Sequence, residues 1–312
     1  MPRTVAGVEG RGGGDSLQGD MARLDLRHPG NAAGEWFVDT RCIDCGTCRD
    51  IAPGLFRALG STSVVARPPE AGEEVDAWLA AQACPTNSIG TESRKARPGR
   101  LYPREIEAGS GVFDLGYCSE DSFGASAWFA ARPAGNVMVD SPRYTAALTG
   151  ALEERGGVDH IVLTHRDDVA DAGRYAEYFG ARVWIHEADR SAAPFATDIL
   201  RGVGDTGIEE GLTAVPVPGH TRGSVVLLLD GRYLFSGDSL AWSHARQDLV
   251  AFRDACWYSW EAQADSLERL AGDHRFAWVL PGHGARVQAP ADELHRRLVA
   301  LVERMRTGRH QP

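Results

Sequence analysis

The stretch Pro-Gly-His-Thr-Arg-Gly-Ser, residues 218–224, leads directly into the apolar run Val225–Leu229. An apolar run of this length, bounded by turn residues, predicts a buried β-strand. A histidine next to glycine at the end of such a strand is held on a rigid scaffold and exposed to a ligand. The stretch therefore predicts a binding or catalytic position at His220.

Three further strand ends carry the same kind of residue. An apolar run at residues 161–164 ends in His165, Phe-Ser-Gly precedes Asp238, and Leu-Pro-Gly precedes His283. A rigid α/β scaffold can aim such side chains at one point. Imidazole together with carboxylate suits zinc, iron or manganese, so the four strand ends predict a metal site.

Strands and helices alternate from residue 101 onward, which predicts an α/β layered domain. The predicted strands are Ser126–Ala131, Asn136–Val139, His160–Thr164, Arg182–His186, Leu212–Pro216, Ser224–Leu229, Tyr233–Phe235 and Phe276–Leu280. The predicted helices are Pro142–Glu154, Asp168–Phe179, Tyr258–Ala271 and Ala291–Arg306.

From about residue 110 to the C-terminus these motifs resemble the metallo-β-lactamase superfamily. Pro-Gly-His-Thr, Ser-Gly-Asp and Pro-Gly-His-Gly match its later motifs in order. The resemblance implies a four-layer αββα sandwich. It also implies His220 as a ligand of one metal, His283 as a ligand of the other and Asp238 as the bridge between them.

The first motif departs from the superfamily pattern, which usually is His-x-His-x-Asp-His. His165 fits its first position and Asp167 stands where the second histidine is expected, while Asp171-Ala172 fits the Asp-His pair only with two inserted residues. The resemblance implies ligands His165, Asp167 and His220 at one metal and Asp171 and His283 at the other, with Asp238 shared. Asp171 and Asp238 are then the catalytic candidates. The second position lacks one histidine, so a mononuclear centre is the alternative, and Asp168 is interpreted as a helix N-cap.

Cysteine spacing marks a second metal centre before residue 98. Cys42, Cys45 and Cys48 recur at every third residue, and Cys84-Pro85 follows from a predicted helix end. Three cysteines at this spacing favour an iron–sulfur cluster over zinc, which more often uses two separated pairs. Four unrelated buried cysteines are the remaining alternative. Residues 42–89 resemble a bacterial single-cluster ferredoxin, which implies a small α+β unit that holds one 4Fe–4S cluster with these four ligands.

The organisation predicted from these signals has three parts: a disordered leader at residues 1–34, a ferredoxin-like unit at 35–98 and a lactamase-like domain at 99–312. Net charge is −10, with 33 basic and 43 acidic residues, which argues against nucleic acid or an anionic membrane as partner. No apolar run approaches the roughly 20 residues of a membrane span, and the N-terminus lacks an apolar signal-peptide core. We therefore expect a cytoplasmic protein.

Three functions are compatible with the two centres. The first is a redox enzyme, in which the cluster feeds electrons to an iron centre that acts on dioxygen or a small organic substrate. Its partner would be an electron-donor protein or reductase. The fused cluster and Asp167 favour this function. In the second, one or two ions of zinc or iron hydrolyse an ester, thioester or phosphodiester, and the cluster is structural or regulatory. The third is a non-catalytic electron carrier or binding protein.

Cys118 and His244 lie in loops that could border the pocket, and Cys256 is expected to be a buried thiol.

Overall fold

A computed structural model describes residues 22–308 of the chain. The N-terminal unit consists of strands β1 (Trp36–Val38), β2 (Phe56–Ala58), β3 (Ser63–Val65) and β4 (Ile89–Thr91) and helices α1 (Thr47–Ile51) and α2 (Glu74–Ala83). β1 pairs with β4 and β2 with β3, both antiparallel. The cysteine loop precedes and enters α1, and Cys84 caps the C-terminus of α2, so the loop and the helix end meet.

The predicted leader is only partly covered by the structure. Residues 1–21 lie outside the described residues. Residues 22–34 differ from the prediction of disorder, because they carry a short 3₁₀-helix and pack on the ferredoxin-like unit. Asn31 holds them there: its amide donates to Val38 O at 2.8 Å and accepts from Val65 N at 2.9 Å.

The first large sheet and its two helices follow. Its strands are β5 (Arg104–Glu105), β6 (Val112–Asp114), β7 (Trp128–Ala130), β8 (Val137–Val139), β9 (His160–Val162), β10 (Arg182–His186) and β11 (Asp198–Leu200), in the order β11-β10-β9-β8-β7-β6-β5. The pairs from β8 to β11 are parallel and those from β5 to β8 antiparallel. Helices α3 (Ala146–Glu153) and α4 (Ala172–Phe179) cover its outer face.

The second large sheet faces the first. The remaining strands are β12 (Thr206–Glu209), β13 (Leu212–Pro216), β14 (Val225–Leu229), β15 (Tyr233–Gly237), β16 (Ala241–Ser243), β17 (Asp248–Val250), β18 (Trp278–Pro281) and β19 (Val287–Gln288), and the last helices are α5 (Trp260–Asp273) and α6 (Ala291–Arg306). The sheet order is β12-β13-β14-β15-β18-β19, and β16 and β17 form a separate hairpin. β15 and β18 are parallel, so Asp238 and His283, which follow them, leave the sheet at the same edge.

Three apolar cores define four layers. One core lies between α3, α4 and the first sheet and includes Leu148 and Tyr175. The middle core joins the inner faces of the two sheets, with Val162 and Leu227. The third, with Leu267, packs α5 and α6 on the second sheet. Alternating strand residues thus fill cores on both faces of each sheet, and the αββα expectation is confirmed.

Two helices begin four residues later than the sequence predicts, and α5 begins two residues later, at Trp260 rather than at Tyr258. α3 begins at Ala146 rather than at Pro142, capped by the Thr145 side chain, which accepts from Leu148 N at 3.2 Å. α4 begins at Ala172 rather than at Asp168, because residues 166–168 form a 3₁₀-helix. Among residues 22–308, no helix combines the length and the apolar character that crossing a membrane requires.

The two units are joined by hydrogen bonds at the C-terminal end of α2. The Arg143 guanidinium, from the lactamase-like domain, donates to Pro85 O at 2.8 Å and to Cys84 O at 3.2 Å. Cys118 N donates to Ala83 O at 3.1 Å. The end of α2 is therefore held directly by the second domain.

Candidate metal centre and cluster pocket

Three of the strand ends bring one set of donor atoms together. His165, His220 and Asp238 each offer one ligand atom, and these atoms lie within 4.8 Å of one another. Asp238 Oδ2 is 3.7 Å from His165 Nε2 and 3.8 Å from His220 Nε2. All three side chains are buried. We refer to this set as the first donor set.

Hydrogen bonds behind His165 determine which ring nitrogen faces the set. Thr164 Oγ1 donates to Asp140 at 2.9 Å and lies 2.9 Å from His165 Nδ1. Because the hydroxyl proton is used on the Asp140 carboxylate, Thr164 Oγ1 accepts the Nδ1 proton of His165. His165 Nε2 is left as a lone pair directed at the set. Burial lowers the pKa of His165 to about 4, which keeps the ring neutral.

A second donor set shares Asp238 with the first. It consists of Asp168, Asp238 and His283, whose ligand atoms also lie within 4.8 Å of one another. Gly282 lets the backbone approach both carboxylates, since a Cβ there would lie 2.7 Å from Asp238 Oδ1 and 2.8 Å from Asp168 Oδ2. His283 Nδ1 is 3.0 Å from each Asp238 oxygen, and its Nε2 lies 3.3 Å from Phe123 O. The carbonyl can only accept, so Nε2 carries the proton and Nδ1 faces the carboxylates.

Unsatisfied atoms test whether metal ions fit these sets. Among residues 22–308, buried polar atoms without a hydrogen-bond partner include both carboxylate oxygens of Asp168, Nε2 of His165 and Nδ1 of His220. Burying a carboxylate without a partner costs free energy, and a cation coordinated by it removes that cost. The mixture of imidazole and carboxylate is suited to zinc or iron. The residues therefore fit divalent metal ions, which would be held by the two donor sets that share Asp238.

The pKa shifts in the second donor set also indicate a site suited to a cation. Burial, together with the nearby Asp238 and Asp140 carboxylates, raises the pKa of Asp168 well above its usual range. Burial disfavours the charged form of His283 as well, yet the Asp238 carboxylate overrides it and raises the pKa of His283 to about 10. The His283 cation in turn lowers the pKa of Asp238, against the opposing effect of burial. Protons thus compensate the charge that a metal ion would compensate.

Asp167 and Asp171, both expected as ligands, lie elsewhere. Asp167 Oδ2 lies 3.2 Å from His220 Nε2, but its side chain is 42% exposed and lies at the rim of the first donor set. Asp171 joins neither set: its Oδ2 accepts from Tyr144 N at 2.7 Å, and its Oδ1 lies 3.5 Å from the Arg174 guanidinium. The structure thus places Asp171 outside both donor sets, because α4 begins after it and its carboxylate accepts from the loop before α3.

Asp168 is the residue that sequence reasoning missed. It was interpreted as an N-cap, but the chain makes a 3₁₀ turn at residues 166–168 that directs its side chain inward. Ala170 then adopts a left-handed φ of 37° before α4 starts. The available signal was the adjacent pair Asp167-Asp168, in which one carboxylate faces solvent and the other is buried.

The four expected cluster ligands surround a second pocket. Cys42, Cys45, Cys48 and Cys84 line it together with apolar side chains such as Val38 and Ile89. All four are free thiols rather than disulfide partners. Burial raises the pKa values of Cys45, Cys48 and Cys84, so four thiolates here require a cationic partner such as an iron–sulfur core.

Backbone and hydroxyl groups already point at these sulfurs. Asp44 N and Ser63 N each donate to Cys42 Sγ at 3.4 Å, and Ser88 N donates to Cys84 Sγ at 3.3 Å. Hydrogen bonds of this kind stabilise cluster thiolates and influence the reduction potential. The pocket therefore fits the 4Fe–4S cluster that the sequence implies.

The three remaining candidates have different surroundings. Cys118 is buried at the contact between the two units. His244 lines a cavity between them, with its Nε2 3.3 Å from Asp50 O. Cys256 Sγ donates to Gly219 O at 3.2 Å and is only partly buried, although we expected a buried thiol.

Two helix-flanked sheets with histidine and aspartate at their strand ends define a metal-binding αββα protein. A sequence model described as "Metallo-beta-lactamase superfamily" matches residues 117–302, more than half of the chain. The chain belongs to this superfamily. A second model, "4Fe-4S single cluster domain of Ferredoxin I", matches residues 38–91, so the N-terminal unit is a ferredoxin-type cluster domain. Both resemblances stated from the sequence are confirmed.

Solved structures show the same fold. The chain is similar to DIM-1 metallo-β-lactamase exposed to ceftazidime, with a TM-score of 0.50 and 18% identity over 64% of this chain and 96% of that chain. It is also similar to TMB-1, with a TM-score of 0.51 and 16% identity over 64% of this chain and 96% of that chain. At these identities the likeness establishes the fold alone.

Two curated relatives carry the name hydroxyacylglutathione hydrolase. The protein from Acidiphilium cryptum (strain JF-5) is 35% identical over 120 residues, which is 36% of this chain and 48% of the relative. The protein from Xanthomonas axonopodis pv. citri (strain 306) is 26% identical over 175 residues, 54% of this chain and 64% of the relative. The chain thus spans between about half and two thirds of the relatives it matches.

Proposed function

We propose that this protein is a metal-dependent hydrolase that cleaves a thioester or ester at its carbonyl carbon. The observation that carries the proposal is the pair of donor sets that share Asp238, with buried unpartnered atoms on Asp168 and His165. Ions held there would polarise a carbonyl and make water nucleophilic at neutral pH. Hydrolysis as the reaction class is favoured by the names of the two curated relatives.

His165, Asp238 and Asp167 have different roles in the proposed reaction. Thr164 and Asp140 orient the His165 ring and burial keeps it neutral, so His165 needs no deprotonation before it binds. Asp238 holds both sets at a fixed spacing. Asp167, at the rim beside His220, is reachable from solvent and is placed to orient a water at the site.

Two exposed aromatic side chains support an organic acyl substrate. Phe123 is 54% exposed with its ring 6.2 Å from that of His283, and Trp257 is 60% exposed with its ring 6.3 Å from that of His220. Exposed aromatic side chains beside a polar site offer apolar contact to a ligand. One stands beside each donor set, so an acyl group between them would have apolar contact on both sides.

The test is hydrolysis by the full chain, purified without oxygen and loaded with zinc or iron. S-acylglutathione thioesters, carboxylic esters and phosphodiesters are compared as substrates. We expect thioester or ester cleavage, and we expect His220→Ala to lower kcat/KM at least about 100-fold, beyond the effect typical of outer ligand partners.

His274→Ala is the control, since His274 pairs with Asp205 at 2.9 Å and belongs to neither donor set. Its activity should match that of the unaltered protein. Absence of thioester and ester hydrolysis, with both donor sets loaded, would contradict the proposal, whether or not phosphodiesters are cleaved.

A redox enzyme is the second candidate, because the cluster pocket and the metal centre lie against each other. Cys45 and His283 line the same cavity. For this function, iron beyond the content of the cluster should show its own spectroscopic signature, and the reduced protein should consume dioxygen. Zinc alone in the donor sets of the natively loaded protein would rule it out.

A further inference from the structure

A short series of contacts runs from a cluster ligand to the second donor set. The Thr47 hydroxyl lies 3.3 Å from Cys45 Sγ and donates to Gly124 O at 2.8 Å. The preceding residue, Phe123, accepts from His283 Nε2 at 3.3 Å. One peptide segment of the lactamase-like domain, Phe123-Gly124, therefore contacts both the cluster loop and a candidate metal ligand.

This contact leaves no space for a larger residue. Gly124 has a φ of +84°, and a Cβ there would lie 2.7 Å from Cys45 Sγ. A cavity of about 290 Å³ is lined by Cys45 and Thr47 of the N-terminal unit together with His283 of the lactamase-like domain. The cluster loop and the second donor set thus border the same cavity.

We propose that the redox state of the cluster and the binding of a divalent cation to Asp168, Asp238 and His283 are thermodynamically coupled through the Phe123-Gly124 segment. One-electron reduction by an external reductant adds one negative charge to the cluster and breaks no bond. A cation on the second donor set adds positive charge, so the two changes favour each other electrostatically. The Phe123-Gly124 segment, which is hydrogen-bonded to both sites, holds them in a fixed relation to each other. The proposal rests on metal binding at the proposed site and not on the reaction performed there.

Linkage makes the effect reciprocal. If the cation raises the cluster's affinity for an electron by a given factor, reduction raises the affinity for the cation by that same factor. Oxidation would then weaken metal binding at the second donor set. The ferredoxin-type domain would thereby make metal occupancy, and with it hydrolysis, dependent on the supply of electrons.

The test is a potentiometric titration of the cluster in the full chain, with and without Zn²⁺, which is itself redox-inert. Zinc should shift the midpoint potential upward. A tenfold tighter binding of zinc by the reduced form corresponds to about 59 mV for one electron. Asp168→Asn should remove the zinc-dependent shift while the cluster remains.

Thr47→Val removes the hydroxyl that joins Gly124 to the cluster loop, and it should decrease the zinc-dependent shift. Thr86→Val is the matched control, because Thr86 Oγ1 lies 3.5 Å from Cys84 Sγ and bonds to Ser88 Oγ at 2.7 Å rather than to the lactamase-like domain. It should change the potential itself but leave the zinc-dependent shift intact.

Equal potentials with and without zinc, in protein shown to bind zinc at the second donor set, would overturn the coupling. An undiminished shift in Thr47→Val would overturn the assigned route. Neither measurement uses hydrolysis, so a protein that shows the shift but cleaves no ester would contradict only the proposed function.

Discussion

The two halves of the metal centre share Asp238 but differ in charge. The first donor set adds two imidazoles to the shared carboxylate, whereas the second adds one imidazole and the fully buried Asp168. In the first, burial lowers the pKa of His165 to about 4, so the ligand is neutral before a cation arrives. In the second, the raised pKa values of Asp168 and His283 mean that a cation must displace protons.

The two halves are built to bind a cation by different means. The first half is preorganised by the hydrogen bond through which Thr164 orients the neutral His165 ring. The second half attracts cations by charge and lies against the ferredoxin-type domain through Phe123 and Gly124. Charge changes at the cluster should therefore be felt mainly by the second half.

The largest expected effect comes from the residue that the halves share. Asp238→Ala should remove both metal ions and reduce hydrolysis to the background rate, because each donor set loses its bridging carboxylate. Metal analysis by mass spectrometry, with zinc as the loaded ion, measures this against the cluster iron. The absorbance of the cluster serves as the internal control and should persist. Retention of one ion at unchanged affinity would show that Asp238 does not bridge.

Replacing Asp168 should affect only one half. Asp168→Asn removes a buried negative charge from the second donor set, so we expect loss of one metal ion per chain and retention of the other. Asp171→Asn is the matched control, since that carboxylate contacts Tyr144 N and the Arg174 guanidinium instead. Metal content distinguishes them directly. Loss of an ion from Asp171→Asn alone would restore the original alignment of the first motif.

Where ligands follow a strand or a fixed spacing, the sequence predicted them. The cysteine loop places three thiols within seven residues of chain, so local spacing alone indicated the cluster. His220, Asp238 and His283 each leave a regular strand beside glycine, and strands β13, β14 and β10 were predicted within one residue of their observed bounds. Short strands such as β5, β16 and β19 were missed because two or three residues carry too little apolar alternation.

What the sequence could not specify depends on backbone path and on docking. Which of Asp168 and Asp171 faces the donor sets depends on where α4 starts. The 3₁₀ turn before it, with Ala170 in a left-handed conformation, follows no periodic pattern of apolar residues in the sequence. The contact between Gly124 and Cys45 joins residues 79 positions apart across two domains. Nothing local at either residue indicates it, because it arises only when the lactamase-like domain is folded against the cluster loop.

The smallest expected effect concerns the preorganisation of the first half. Thr164→Val preserves side-chain shape but removes the hydroxyl between Asp140 and His165 Nδ1, so the ring loses its fixed orientation and tautomer. Outer partners of this kind are worth about 10- to 100-fold in metal affinity. We expect a loss of that size at the first donor set, measured by competition with a zinc chelator, and no change at the second. Thr149→Val is the control, since that buried hydroxyl bonds only to Thr145 O within α3. An equal loss of zinc affinity at both donor sets would mean that the hydrogen bonds behind His165 support the whole metal centre. The proposed difference, in which one half depends on ring orientation and the other on charge, would then be wrong.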